Sequence, residues 1–329
     1  MTTIKDVAKM AGVAVSTASY ALNGKQNVSP DTRRKVEEAA KELNYKKSGF
    51  ASDLKRNKTN TIALILSDLS GPFYSELIKG VQDVATANGY DLIACSAIGG
   101  KNSTAIKFLT EKRTDSAIIL ANNINDEIIK DSARNGFPIV VLDRNLEGQH
   151  IVNVSVDNEQ GGFIATEYLI HQGHKKIAYV SGPTQSHDNQ LRYLGYKRAM
   201  SNYNLPLSPK WDISGNFTRE SGYQVTKMIL LQNELPTAIF FANDEMALGA
   251  YEAFEEKGIK IPDDISIIGF DDILLAQYAN PSLTTIRQPK YDVGSLAAHL
   301  SFQAINGNYT INHHKLSTEL VVRNSVRKI

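Results

Sequence analysis

Residues 3–24 read Thr-Ile-Lys-Asp-Val-Ala-Lys-Met-Ala-Gly-Val-Ala-Val-Ser-Thr-Ala-Ser-Tyr-Ala-Leu-Asn-Gly. Ile4, Val7, Ala8 and Ala11 share one helical face, Gly12 supplies a turn, and Val13, Ala18, Ala21 and Leu22 of a second helix close over that face. Helices this short hold their shape only against each other. The polar run Ser16, Thr17, Ser19 and Tyr20 is left on the outside of the second helix, where a helix-turn-helix presents groups to base edges in the major groove. The competing reading is a plain helical hairpin with a solvated polar face, and the flanking sequence argues against it.

A third helix follows, opened by Ser29-Pro30-Asp31, a capping serine with proline at the first helical position. It is carried by Val36, Ala39, Ala40 and Leu43 until Asn44-Tyr45. Residues 1–58 hold 12 Lys+Arg against 6 Asp+Glu, and the rest of the chain 24 against 29. An overall charge of +1 therefore hides a basic small domain on a mildly acidic large one, and only the first suits a phosphate backbone. At 329 residues and 42% hydrophobic content there is ample core. The single cysteine, Cys95, lies in the apolar run 91–95; it excludes an intrachain disulfide and a cysteine-rich metal site and reads as a small buried residue. The start of the chain lacks a signal-peptide pattern, and no run reaches the roughly 18–20 apolar residues of a bilayer span, so the expectation is a cytoplasmic protein without membrane contact.

From Lys46 to Asn60 the composition turns polar and charged, a linker with a helical turn or two in it. Beyond it, strand-like apolar runs (61–66, 91–97, 116–120, 139–142, 177–181, 238–241, 265–270) alternate with amphipathic helices (73–88, 104–111, 160–172, 190–202, 220–232, 245–257). Runs buried on both faces and separated by helices predict parallel α/β sheets in two lobes, with a cleft where the strand C-termini meet. Taken alone, this alternation reads as two consecutive halves.

On Thr3-Ile4-Lys5-Asp6-Val7-Ala8, Ser16-Thr17-Ala18-Ser19, Leu22-Asn23-Gly24, Gly71-Pro72-Phe73-Tyr74, Ile177-Ala178-Tyr179, Asn243-Asp244-Glu245-Met246-Ala247 and Ile268-Gly269-Phe270-Asp271-Asp272, in that order, the chain resembles the LacI/GalR family of bacterial transcriptional repressors over essentially its whole length. The resemblance implies a three-helix helix-turn-helix domain over 1–46, a hinge helix in a linker over 47–59, and a two-lobed α/β core similar to periplasmic binding proteins over 60–329. It also makes each lobe discontinuous, with crossovers near Asn158, Arg287 and Leu316: an N-lobe of about 60–157 and 289–315 and a C-lobe of about 159–286 and 317–329.

By the same resemblance the DNA contacts fall on Thr3, Val15, Ser16, Thr17, Ser19, Tyr20 and Asn23. Val15, Ser16 and Tyr20 would face bases, with Thr17 and Ser19 nearer phosphates. Tyr20 stands where relatives usually carry arginine or histidine, and tyrosine has no bidentate fork for guanine. Ala51-Ser52-Asp53-Leu54 looks like the hinge helix, with Leu54 as the wedge into a central minor-groove step; Ser52 stands where relatives generally have arginine, Lys47 where they often have proline, and Asp53 puts a carboxylate near DNA.

A sugar pocket needs rings to stack on C–H faces and planar charged groups to bind hydroxyls in pairs. Phe73, Tyr74, Asp143, Arg144, Arg192, Phe217, Asn243, Asp271 and Gln288 lie where such a cleft should be. Asp143, Arg192, Asn243 and Asp271 are expected at hydroxyls and Phe73 and Phe217 on the two faces of the ring. The Asp143-Arg144 pair and Gln288 look most like pentose-binding members, making ribose or a similar monosaccharide the expected effector, whereas Lys290 reads as part of a crossover.

The leading expectation is thus a homodimer on palindromic operator DNA, repressing carbohydrate-utilisation genes and regulated by the sugar, with no cofactor and no metal. The end Val326-Arg327-Lys328-Ile329 carries no leucine heptads for a tetramer. One alternative is a purine-type corepressor system, against which Ser186 and Asp188 stand where purine-binding relatives have arginine and threonine. Another is a catabolite-control regulator worked by a phosphocarrier protein docking at residues 73–77. An enzyme is disfavoured: there is no glycine-rich dinucleotide loop, phosphate loop, zinc-protease motif or nucleophile elbow. His313-His314 reads as a loop pair without acidic partners, and His171, His174 and His187 as surface or capping residues.

Overall fold

The computed structural model describes residues 2–46, 58–142, 144–308 and 313–329. The expected hinge helix with Leu54, together with Lys47, Ser52, Asp53 and Asp143, lies outside the described residues. The chain divides into two compact units, Met1–Thr59 and Asn60–Ile329.

The first unit contains α1 (Ile4–Met10), α2 (Val15–Leu22) and α3 (Pro30–Glu42). Gly12 turns the chain between the first two with φ +65°, a left-handed conformation that glycine adopts without steric cost. Val7, Ala8, Ala18, Ala21, Val36, Ala39 and Ala40 form the core, closed at its edge by Ile4, Val13, Leu22 and Leu43. The ends are capped locally: Thr3 N–H and Oγ1–H both donate to Asp6 Oδ2 at 2.8 Å, and Ser29 Oγ accepts from Thr32 N–H at 3.3 Å ahead of Pro30.

In the second unit the chain builds β1 (Thr61–Leu66), α4 (Tyr74–Ala87), β2 (Asp91–Ser96), α5 (Thr104–Thr110), β3 (Ser116–Leu120), α6 (Asp126–Ser132), β4 (Ile139–Val141) and β5 (Ile151–Val156). It then builds α7 (Asn158–His171), β6 (Ile177–Ser181), α8 (His187–Asn202), β7 (Asp212–Ser214), α9 (Arg219–Ile229), β8 (Ala238–Phe241), α10 (Asp244–Glu256), β9 (Ser266–Asp271) and β10 (Thr284–Arg287). Last come α11 (Lys290–Ile305), β11 (His313–Leu316) and β12 (Glu319–Val321). One sheet runs β11-β5-β4-β3-β1-β2, all parallel. The other runs β12-β10-β9-β8-β6-β7, with β12 antiparallel to β10. The backbone therefore passes between lobes three times, after β5, after β10 and after β11, and α11 and β11 return to the first sheet.

Strand β1 shows why this sheet is buried on both faces. Ile62, Leu64 and Leu66 pack with Leu77 and Val81 of α4 and Ala297 of α11 on one side, while Ala63 and Ile65 pack with Ala105 and Leu109 of α5 on the other. Strand β2 departs from the two-faced pattern because it is an edge: Cys95 is its one buried residue, and burial pushes the thiol up to about 11. His313 and His314 lie not in a loop but in β11, paired with Asn153 and Val154. His174 is buried rather than superficial, its ring between Thr237 Oγ1 at 3.0 Å and the Arg327 carbonyl at 3.1 Å. Among the described residues no helix is long and apolar enough to cross a membrane.

Three helix pairs meet at backbone contact through glycine. Gly80 of α4 faces the Tyr291 carbonyl while Gly294 of α11 faces that of Leu77; Gly162 of α7 and Gly195 of α8 exchange contacts with the carbonyls of Arg192 and Glu159. In α9 and α10, Gly222 and Gly249 do the same with Met246 and Arg219. A Cβ at any of the six would overlap the opposing main chain.

Candidate functional site

Two surfaces carry candidate chemistry. On the first unit, α2 turns Val15, Ser16 and Tyr20 outward, with Thr17 and Ser19 half-buried. Thr3 is spent on the cap of α1, and Asn23 folds back on α2, its Nδ2 donating to the Ser19 carbonyl at 2.7 Å and to Ser19 Oγ at 3.3 Å.

In the second unit a cleft of about 800 Å³ opens between the two sheets. Its walls come from strand C-termini and the segments that follow them: residues within 67–74 after β1, Leu120 at the end of β3 and Asn122 beyond it, residues within 183–188 after β6, 216–218 after β7, Asn243 after β8, and Asp271 at the end of β9 with Ile273 beyond it. Phe73, Tyr74, Arg144, Arg192, Phe217, Asn243 and Asp271 all line it.

Their polar atoms are held in one network. Arg192, with 5% of its side chain exposed, donates from Nε to Asn158 Oδ1 at 2.8 Å and from Nη1 to the Ala242 carbonyl at 2.6 Å; Nη1 is also 3.5 Å from Asp271 Oδ1. Its guanidinium carbon sits 3.9 Å from the centroid of Phe270 and 5.8 Å from that of Phe217. Asn158 Nδ2 donates to Asp188 Oδ1 at 2.8 Å, and Gln288 Nε2 to Asp271 Oδ1 at 2.6 Å. Arg192 Nη2 and Asp271 Oδ2 take no part in these bonds. Burial pushes the Asp271 carboxyl above the ordinary aspartate value, against the pull of Arg192, Lys290 and Gln288.

The loop beginning at Asp271 is strained and anchored. Asp271 and Asp272 have φ +113° and +51°, left-handed values unfavourable for residues with a Cβ. Burial alone would raise Asp272, but hydrogen bonds from Arg323 (2.6 Å) and Arg287 (2.8 Å) outweigh it and hold its carboxyl low. Asp244, fully buried, accepts from Thr285 Oγ1 at 2.6 Å and from Ile273 N–H at 2.9 Å. Phe217, also left-handed at φ +70°, rests its ring on Gly182, where a Cβ would collide with it.

Several expected ligand groups are committed within the protein. Asn243 Oδ1 caps α10 through Met246 N–H at 3.1 Å while its Nδ2 donates to the Phe217 carbonyl at 2.9 Å, so its amide positions the aromatic loop. Arg144 donates to Asp126 Oδ1 at 2.8 Å and to the carbonyls of Ile124 and Ala121. Gln288 is 5% exposed beneath the cleft and serves Asp271. Sequence reasoning assigned both Asn158 and Lys290 to crossovers and neither to the site. Lys290 does begin α11 there, yet its ammonium is 2% exposed, donating to the carbonyls of Asp271 at 2.6 Å and Asp272 at 3.0 Å across the lobe boundary. The phrase Gln288-Pro289-Lys290, two polar side chains at a strand-to-helix junction, was the available signal.

The family model described as bacterial regulatory proteins, lacI family, matches residues 3–48, and that of a periplasmic binding protein-like domain matches 166–326. The chain is 39% identical over 336 aligned positions to the HTH-type transcriptional repressor PurR of Vibrio campbellii, covering all of both chains. The lac repressor dimer bound to operator and the anti-inducer ONPF is similar with a TM-score of 0.80 and 29% identity, over 99% of each chain. A LacI family transcriptional regulator from Enterococcus faecium with bound ribose has a TM-score of 0.75 and 30% identity, over 82% of this chain and 99% of that one. An identity running the length of both chains, over a helix-turn-helix and a two-lobed core in the same order, places this protein in the LacI family: it is a DNA-binding transcriptional repressor with an effector-binding core.

Proposed function

We propose that the cleft takes a monosaccharide, ribose or a similar pentose, and that its binding changes the operator affinity of a dimeric repressor of carbohydrate-utilisation genes. The observation that carries this is the Asp188–Asn158–Arg192–Asp271 network, which holds a guanidinium and a carboxyl group together in the lining of a cleft that Phe73 and Phe217 also line. A donor and an acceptor fixed side by side match the paired hydroxyls of a sugar. Asp68, Asp126, Asp188, Glu245 and Asp271 outnumber Arg144 and Arg192 in the lining, which favours a neutral ligand over a phosphorylated one. For the dimer, Leu274 and Leu275 on one 3-10 turn and Tyr278 at its end expose 64%, 44% and 74% of themselves, an apolar surface suited to a second copy.

A purine base is the second reading, favoured by the name of the PurR relatives. Against it, Ser186 is buried as the cap of α8, its Oγ accepting from Asn189 N–H at 3.3 Å, and Asp188 is a carboxylate; neither supplies a cation. Thermal shift and calorimetry with ribose, galactose, fructose, ribose 5-phosphate, guanine and hypoxanthine separate the readings, because a native-state ligand raises stability. Ribose or a close relative should bind, and Arg192→Ala should abolish binding. A response to guanine or hypoxanthine alone would establish the purine reading, and no response to any sugar would remove the pocket assignment. Sedimentation showing a monomer that still binds a full palindrome tightly would exclude the dimer.

A further inference from the structure

We infer that α2 reads its half-site through thymine methyl groups and single hydroxyl hydrogen bonds, so that the base pairs beneath Val15 and Tyr20 are A·T and not G·C. This rests on α2 docking in the major groove, as the second helix of a helix-turn-helix does. The exposed side of α2 consists of Val15, 43% exposed, Ser16, and Tyr20, 38% exposed, with half-buried Ser19 between them. It holds no guanidinium, ammonium or carboxylate.

Guanine is read in this groove by the forks of arginine or lysine, cytosine by a carboxylate, adenine by the paired donor and acceptor of an amide, and thymine by apolar contact with its methyl. The one amide at this face, Asn23, closes the C-terminus of α2 on Ser19. A cation, Lys25, lies beyond the helix end with its Nζ 5.1 Å from the centroid of the Tyr20 ring, where it suits a phosphate at the groove edge. What faces the bases is an isopropyl group, a phenol ring and the small hydroxyl of Ser16. The basic charge of residues 1–58 supplies affinity without sequence, leaving base choice to these groups.

The test selects half-sites from randomised palindromes with the full chain, then replaces each selected thymine by deoxyuridine, which lacks only the methyl. A·T pairs should be selected opposite α2, and each replacement there should weaken binding about three- to fivefold, as expected for one buried methyl. Val15→Ala should shrink the thymine–uracil difference at its own position while leaving the differences at the other selected thymines in place. Tyr20→Arg should gain a guanine preference at the pair it faces, a result that loss of folding cannot mimic. Selected guanines opposite α2 combined with indifference to uracil would overturn the methyl reading while leaving the docking intact. Selection yielding no consensus would overturn the docking itself.

Discussion

Asp271 bonds to Gln288 and approaches Arg192 with one carboxylate oxygen, while its carbonyl receives Lys290. Burial raises its pKa, so sugar affinity should decline as pH falls, beginning above the range of an ordinary aspartate. Calorimetry across the acid range checks this, and Asp271→Asn should remove the pH dependence while weakening binding by about tenfold or more. Asp244 sits deeper, and burial first, then the Asp271 charge, hold its carboxyl well above the usual value. The folded state therefore keeps a proton that the unfolded chain releases. This contribution is complete below the unfolded pKa and lost as pH rises through the folded one. Asp244→Asn should flatten that part of the profile of melting temperature against pH, whereas Asp244→Ala should lower stability throughout by leaving Ile273 N–H and Thr285 Oγ1 without their acceptor. The residue types at 192 and 271 announced a polar site in the sequence. Their partners Asn158 and Lys290 did not, because their roles exist only once the lobes abut.

Among the elements, the glycine-paired helices decide how finely the cleft is placed. Gly162 touches the main chain of Arg192 itself, and Gly195 touches Glu159, next to Asn158, so the α7–α8 contact sets the separation of two network members. Gly195→Ala should destabilise the core by about 1–3 kcal/mol in chemical denaturation, since a methyl there must push two backbones apart. Most central strands and long helices were legible, because burial on both faces and a 3.6-residue period leave marks in the sequence. The internal strands β5 and β10 and helix α11 went unread, as did three of the four edge strands: β7, β11 and β12 are three or four residues long and only partly buried, so neither periodicity nor apolarity distinguishes them from loops.

Across the whole molecule, the alternation of strands and helices announced two α/β lobes but not their interleaving, because a hydrophobic run carries no mark of which sheet it will join. The motif resemblance supplied that, and the return of α11 and β11 to the first sheet is its physical content. Effector and operator act on one equilibrium, so the factor by which the effector changes operator affinity must equal the factor by which operator changes effector affinity. Paired titrations, operator with and without sugar and sugar with and without operator, check this equality.

The interleaving also bears on how the protein is made. Strand β5, in the first sheet, leaves the ribosome long before its neighbour β11, because residues 158–289 are translated in between. At about 5–20 residues per second this leaves Val154 and the α4 face that receives α11 uncovered for on the order of ten seconds. The first lobe must therefore wait, incomplete, while the second is synthesised and can fold. Slowing translation within residues 158–289 should lengthen that exposure and increase chaperone capture of nascent chains, as ribosome-bound pulldown would measure.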